Sequence, residues 1–397
     1  MVTSGHPPAP DLDRAAAASP SAPTAGVAPD RGGAEVTDGS APPLPPSPTP
    51  SPPPTPASGA RGVATAYWTT GPGTGELRTE PLRAPGDGEA LVEALHTGVS
   101  RGSELLVHRG GVPARVADLM RAPFGVGDLR APTPGAPVKY GYLAVGVVAE
   151  GPPDLLGRTV FCLHPHQDRF VVPATALVLV PGGVPPRRAV LAGAVETALN
   201  ALWDAAPRLG DRVAVVGAGM IGCSVAALLR SFPLGRLQVL EPDPARAAVA
   251  ASLGVDVVAP EDAADGCDLV LHCSATGAGL SRGLELLGDE GELVELSWYG
   301  DRDVSVALGA DFHARRLVVR ASQVGAVSAS RRARRTTRER LALALELLRD
   351  DALDALVPVS VPLAGLPAAL VAMAAGELDA PCLVVDHPLA DPEDRPA

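Results

Sequence analysis

The apolar positions of this chain change their spacing twice. Residues 1 to about 61 show no period. From Val63 to about Thr175, short apolar runs are punctuated by Gly and Pro, and Ala90 to Leu95, Ala144 to Ala149, Arg158 to Leu163 and Arg169 to Val172 each predict a strand. That spacing predicts a small β-rich domain. From about Ala189 the pattern lengthens. A helix is expected over Ala189 to Ala206, followed by strands at Arg212 to Val216, Leu237 to Glu241, Val255 to Ala259, Asp268 to Ser274, Glu292 to Ser297 and Leu317 to Ser322. Helices are expected between them at Met220 to Arg230, Pro244 to Leu253 and Leu280 to Leu287. Strands this uniformly apolar suit a parallel sheet covered on both faces, so the fold class is a doubly wound α/β domain beside a β-rich one. Past Gly325 come Arg331, Arg332, Arg334 and Arg335, then a helix over Arg338 to Arg349 and another over Leu366 to Ala375. The arginine run reads as a solvated helix start or as a holder of an anionic substrate or partner.

These shifts set the expected domains: a Pro/Ala-rich tail over 1–61, a β-rich domain over 62–190 and 327–388, an α/β domain over 191–326, and a short tail over 389–397. Sixteen of the 43 prolines fall in the first 60 residues, which hold no Phe, Trp or Tyr. Such a segment cannot bury enough apolar surface to fold. Ala41 to Pro56 favours extended polyproline II, and reads as a ligand for a partner, as a bland tail, or as an over-extended reading frame whose true start lies near Val63.

Charge and cysteine content narrow the class. The net charge is −12, which argues against nucleic acid as the main partner. Lys139 is the only lysine against 32 arginines, a codon-usage signature of a GC-rich genome. No run approaches the ~20 apolar residues of a membrane span. The start has no basic segment followed by an apolar one, so no secretory signal is expected. Cys162, Cys223, Cys267, Cys273 and Cys382 form no CxxC pair and are odd in number, which suits a reducing cytoplasm.

The strongest chemical signal is Val213 to Gly222, which holds Gly217-x-Gly219-x-x-Gly222 between an apolar strand and an apolar helix. That context is what a dinucleotide site needs. Gly217 permits the tight turn, Gly219 lets the backbone approach a pyrophosphate, and Gly222 lets helix and strand pack closely. Met220 and Ile221 open the helix whose free N–H groups hold the phosphates. Glu241 ends the next strand, where a carboxylate accepts from ribose hydroxyls and repels a 2′-phosphate. NAD is therefore favoured, although Arg246 nearby could accommodate NADP. S-adenosylmethionine and a structural loop are the other readings of the glycines.

The order of β-rich domain, Rossmann domain and return segment resembles the medium-chain dehydrogenase/reductase superfamily, the alcohol dehydrogenase-like enzymes, over about Val63 to Asp386. Gly98-Val99-Ser100-Arg101-Gly102-Ser103-Glu104 resembles that family's G-[IV]-C-x-[ST]-D, Tyr140 to Val148 its P-G-H-E-x-x-G-x-V, and Gly157 to Phe161 its G-D-R-V. Glu196-Thr197-Ala198 precedes the Rossmann domain where the family has a similar helix. The resemblance implies a GroES-like catalytic domain, a small-molecule substrate, and a homodimer or homotetramer. Zinc-dependent members bind the metal with cysteine, histidine and cysteine, often with a glutamate. Here Ser100 or Arg101, Tyr142 and Ala194 stand at or near those positions, and Leu143 at the glutamate, so a zinc-independent branch is implied. The Ser100-x-Gly102-Ser103-Glu104 wording is closest to a bacteriochlorophyllide a dehydrogenase-like subgroup.

The expected chemistry is interconversion of an alcohol and a carbonyl by hydride transfer, with side chains rather than zinc handling the proton. Tyr142, Ser100 and Ser103 are the first candidates, with Glu104 and His164 as orienters or relays. Tyr142 could instead fill the vacated metal site, Glu104 could pair with Arg101, and Glu196 could merely support packing. His164-Pro165-His166 beside Cys162 is a remaining metal candidate, a polar active-site loop, or a solvated loop. Ser274 and Ser297 end strands at the expected cofactor site, with Trp298 or Tyr299 as a pocket wall and Cys273 as a buried apolar residue or reactive thiol. A quinone or enoyl C=C reductase, a non-catalytic dinucleotide-binding protein and a methyltransferase are the alternatives.

Overall fold

The computed structural model describes residues 60–387, so the expectations for the tails fall almost wholly outside the described residues. The chain begins with a hairpin, β1 (Ala60–Gly71) and β2 (Thr74–Arg83), which the apolar spacing did not announce. β3 (Glu89–Val99) follows, then α1 (Arg101–His108), β4 (Ala144–Glu150), β5 (Thr159–Cys162), β6 (Arg169–Pro173) and β7 (Val178–Leu179). A short α2 (Pro186–Ala189) leads into α3 (Ala192–Ala205), so the helix expected from Ala189 is broken near its start.

The second lobe alternates strands and helices. It holds β8 (Arg212–Val216), α4 (Met220–Leu229), β9 (Arg236–Leu240), α5 (Pro244–Ser252), β10 (Asp256–Val258), β11 (Cys267–His272), α6 (Gly277–Leu286), β12 (Leu287–Glu295) and β13 (Val318–Ala321). Asp243 caps α5, accepting from Ala245 N and Arg246 N, with Pro244 at the first helical position. The chain returns through α7 (Thr337–Leu347), β14 (Val359–Pro362), α8 (Leu366–Ala375) and β15 (Leu383–Asp386). Thr336 and Glu339 form a capping box at the start of α7.

Two large sheets result. One is a six-stranded parallel sheet in the order β10-β9-β8-β11-β12-β13, which is the doubly wound order with its switch point between β8 and β11. The other runs β14-β15-β3-β4-β5-β7, with β6 also paired to β3. Its two returning strands come from beyond the parallel sheet. The lobes share one core. Leu143, Val145 and Phe161 of the β-rich side belong to the same buried cluster as Val195, Val213 and Val225. Among the described residues, no helix is long and apolar enough to cross a membrane.

Candidate active site

A cleft of about 1530 Å³ runs between the lobes, over the carboxyl edge of the parallel sheet. Open α/β sheets bind ligands at that edge, beside the switch point.

The cofactor end is built by the glycine turn. Gly217 has φ +99°, and a Cβ there would meet Ser274 Cα at 2.8 Å. A Cβ on Gly222 would stand 1.9 Å from the Gly217 carbonyl oxygen, so α4 can pack on β8 only with glycine at that position. Gly219 differs. Nothing lies within 4 Å of a Cβ built on it, and the residue lines the cleft. Its backbone is therefore open to a bulky anion at the start of α4, with Met220 and Ile221 beside it. Glu241 is buried at the rim, accepting from Ala218 N at 2.9 Å and from Asp243 N at 3.0 Å. The donors, the glycine opening and the carboxylate fit a dinucleotide.

The ends of β11 and β12 complete this side. Ser274 Oγ lies 2.7 Å from His272 Nε2, while Glu295 accepts from His272 Nδ1 at 2.8 Å. Ser297 N donates to Glu295 at 2.7 Å, and Ser297 Oγ accepts from Ala275 N. Spacing alone gave no hint of His272 and Glu295, which meet only because β11 and β12 are neighbours in parallel register. Ser274, Ser297 and Trp298 line the cleft. Tyr299 does not, since its hydroxyl turns to Glu295, so Trp298 alone of that pair forms the wall. Burial first, then the Glu295 charge, pushes the Cys273 thiol far up, which leaves it a protonated, apolar lining residue.

The other end carries hydroxyls. Tyr142 and Ser103 are brought together with their oxygens 3.0 Å apart, and both line the cleft with Ser100. Burial pushes the Tyr142 phenol up to about 12, against the Ser100 and Ser103 hydroxyls that pull it down. It therefore stays a proton donor at neutral pH. Around them stand Leu106, Met120, Tyr140 and Trp298, a largely apolar wall.

Several expected residues stand elsewhere. Glu104, in the first turn of α1, is buried, accepts from Ser100 N at 2.7 Å and pairs with His166 Nε2 at 2.7 Å. It holds the Ser100 backbone rather than facing the cleft, and its expected partner Arg101 pairs with Asp379 instead. His164 does not line the cleft either. Its ring stacks on Phe170 with centroids 3.8 Å apart, and burial lowers its pKa to about 3, so it is a neutral core residue. Ala194 is buried away from the cleft, and the α3 residue beside the Tyr142 ring is Gly193. Glu196 lines the cleft but is tied to buried Arg340, whose Nε donates to it at 3.0 Å. Arg340, which the sequence reading passed over, also reaches Asn200 Oδ1 at 2.6 Å.

The donor set does not suit zinc. The positions that hold the metal in zinc-dependent members of the resembled family offer a serine or an arginine, a protonated phenol, a leucine and glycine or alanine, with neither thiolate nor imidazole. The His164-Pro165-His166 alternative also fails, because His166 is committed to Glu104 and, through Nδ1, to Thr97 Oγ1 at 2.6 Å. Among the described residues, no group of three or more His, Cys, Asp or Glu side chains is placed to hold a metal ion.

No protein-family model matches the chain. It is 32% identical over 184 residues to 2-desacetyl-2-hydroxyethyl bacteriochlorophyllide A dehydrogenase of Cereibacter sphaeroides, a match covering 41% of this chain and 52% of that one. The chain thus spans about half the length of the curated relative it matches. Among solved structures it resembles L-idonate 5-dehydrogenase of Escherichia coli, with a TM-score of 0.66 at 16% identity over 82% of this chain and 98% of that one. It also resembles acetophenone reductase of Geotrichum candidum in complex with NAD, with a TM-score of 0.64 at 17% identity over 82% and 97%. In fold, the chain is similar to these dehydrogenases.

Proposed function

We propose that this chain is an NAD-dependent oxidoreductase that interconverts an alcohol and a carbonyl without catalytic zinc. One observation carries the reading: a single cleft joins the open backbone at Gly219 to the Tyr142–Ser103 hydroxyl pair. Bound nicotinamide cofactor would supply or accept the hydride. Gly219 and the first turn of α4 would hold the pyrophosphate, and Glu241 the adenosine ribose. The Tyr142 phenol would donate its proton to the carbonyl oxygen during reduction, and Ser103 orients that hydroxyl and passes the proton on. Leu106, Tyr140 and Trp298 would exclude water around a bulky apolar substrate. The curated relative is named a dehydrogenase of a hydroxyethyl compound, which suits alcohol–carbonyl chemistry in this cleft.

The test is calorimetric titration of the full chain with NAD, metal analysis, and turnover with hydrophobic secondary alcohols and ketones. Tight NAD binding, clearly less than one zinc per chain and turnover that survives chelation are expected. Stoichiometric zinc whose removal abolishes turnover would defeat the zinc-free mechanism. NAD binding without turnover on any alcohol, ketone or quinone would leave a non-catalytic binding protein.

A further inference from the structure

Two arginines from different lobes meet on one carboxylate at the rim of the cleft. Arg246, in the first turn of α5, donates from Nε to Asp379 Oδ2 at 2.7 Å. Arg101, the first residue of α1, donates to the other oxygen, Oδ1. Asp379 lies between α8 and β15, and all three residues line the cleft. Their side chains are 32% to 37% exposed, so they are neither buried nor freely solvated.

The position matters because Arg246 stands just beyond Glu241, where an arginine in this kind of site accommodates the 2′-phosphate of NADP. A guanidinium presents the same planar fork to a carboxylate and to a phosphate. Asp379 therefore occupies, with the chain's own charge, the place an incoming phosphate would need. Burial works to raise the Asp379 carboxyl, but the hydrogen bond and charge of Arg246, with Arg101, outweigh it and hold the group below its ordinary value. It stays ionised at neutral pH. Glu241 and Asp243 add further negative charge around Arg246.

We infer that Arg246 and Arg101 form a two-lobed subsite for the 2′-phosphate of NADP that Asp379 keeps shut, so that Asp379 selects NAD. The inference rests on the dinucleotide reading above. Once the carboxylate is removed, two guanidinium groups face the cleft rim without their partner, and the charge barrier to a 2′-phosphate falls. Glu241 and Asp243 would then be the carboxylates left to oppose NADP.

The experiment titrates the native chain, Asp379→Asn, Arg246→Ala and the double variant with NAD, NADP and 2′,5′-ADP, with melting curves to check folding. Asp379→Ser serves as a second variant should the asparagine form fail to fold. The native chain should prefer NAD. In Asp379→Asn the ratio of the NADP to the NAD dissociation constant should fall at least ~10-fold, equal to about 1.4 kcal/mol. 2′,5′-ADP should gain affinity in parallel, and the double variant should lose both gains. An unchanged ratio in an Asp379→Asn protein that still binds NAD overturns the inference alone, as does a gain that survives Arg246→Ala. A native chain that binds neither dinucleotide overturns the dinucleotide reading and the inference with it.

Discussion

Replacing Tyr142 by phenylalanine removes one hydroxyl and leaves the ring that packs beside Gly193. A positioned acid contributes ~100- to 10,000-fold. Tyr142→Phe should therefore lower turnover at least ~100-fold, read as initial rates, with little change in the NAD dissociation constant. Full activity would remove Tyr142 from the mechanism and leave Ser103 to be tested. At Glu241, substitution by serine should narrow the gap between NAD and NADP affinity, measured by titration; an unchanged gap would take the ribose carboxylate out of the selection. Two histidines report on stability instead. Burial, the largest cause in each, lowers both His164 and His387 to about 3. Unfolded, they would titrate near ~6.5. Between those values the unfolded chain binds more protons than the folded one, so stability falls as pH drops from ~6.5 toward ~3. The melting temperature should decline over that range, and His164→Gln should flatten the decline. A slope identical to that of the native chain would show that His164 is not held neutral.

At the scale of elements, the glycine turn separates two kinds of need. Gly222→Ala puts a methyl group against the Gly217 carbonyl and should destabilise α4 on β8 by about 1–3 kcal/mol or more, seen as a lower melting temperature. Gly219→Ala meets nothing in the protein and should melt normally, yet its methyl group would occupy the space of the pyrophosphate and abolish NAD binding. Normal NAD affinity in that variant would refute the assigned cradle. The helix pair α3 and α7 offers a third test. Arg340→Ala strands buried Glu196 and should cost about 3–5 kcal/mol in denaturant unfolding, with Glu196→Gln milder. These elements also show what a sequence reader can see. β8, α4 and β9 were legible because apolar strand, glycine turn and apolar helix are local in the chain. The β1–β2 hairpin was not, because the buried positions of β1 include Ala64, Ala66 and Thr69, small or polar residues that write no clear apolar alternation. α1 was hidden because it opens on Arg101, Gly102 and Ser103, which carry no apolar period. The Tyr142–Ser103 pair could be guessed from family wording, whereas Arg340–Glu196, Glu104–His166 and Arg246–Asp379 join residues far apart in the chain, and only the fold selects such partners among so many charges.

For the whole molecule, the cleft between two sheets invites the picture of two independent bodies. The buried cluster that joins Phe161 to Val213 and Val225 argues otherwise, since neither lobe can open that core without exposing apolar surface of the other. A denaturant melt should show coincident transitions by tryptophan fluorescence and by far-ultraviolet dichroism. Trp68 reports from the β-rich side and Trp203 from the helix that leads into the parallel sheet. Separated midpoints would mean that the cluster is a contact and not a common core.

The unpaired flank of β13 carries a different consequence. Val318 and Val319 are both 44% exposed on the last strand of the parallel sheet, and among the described residues β13 pairs with β12 alone. Among the described residues, no strand protects its outer N–H groups from deuterium. Amide exchange should therefore grade across the sheet, fast at β13 and slow at β8 and β11, with β4 as slow as β8 because both feed the shared core.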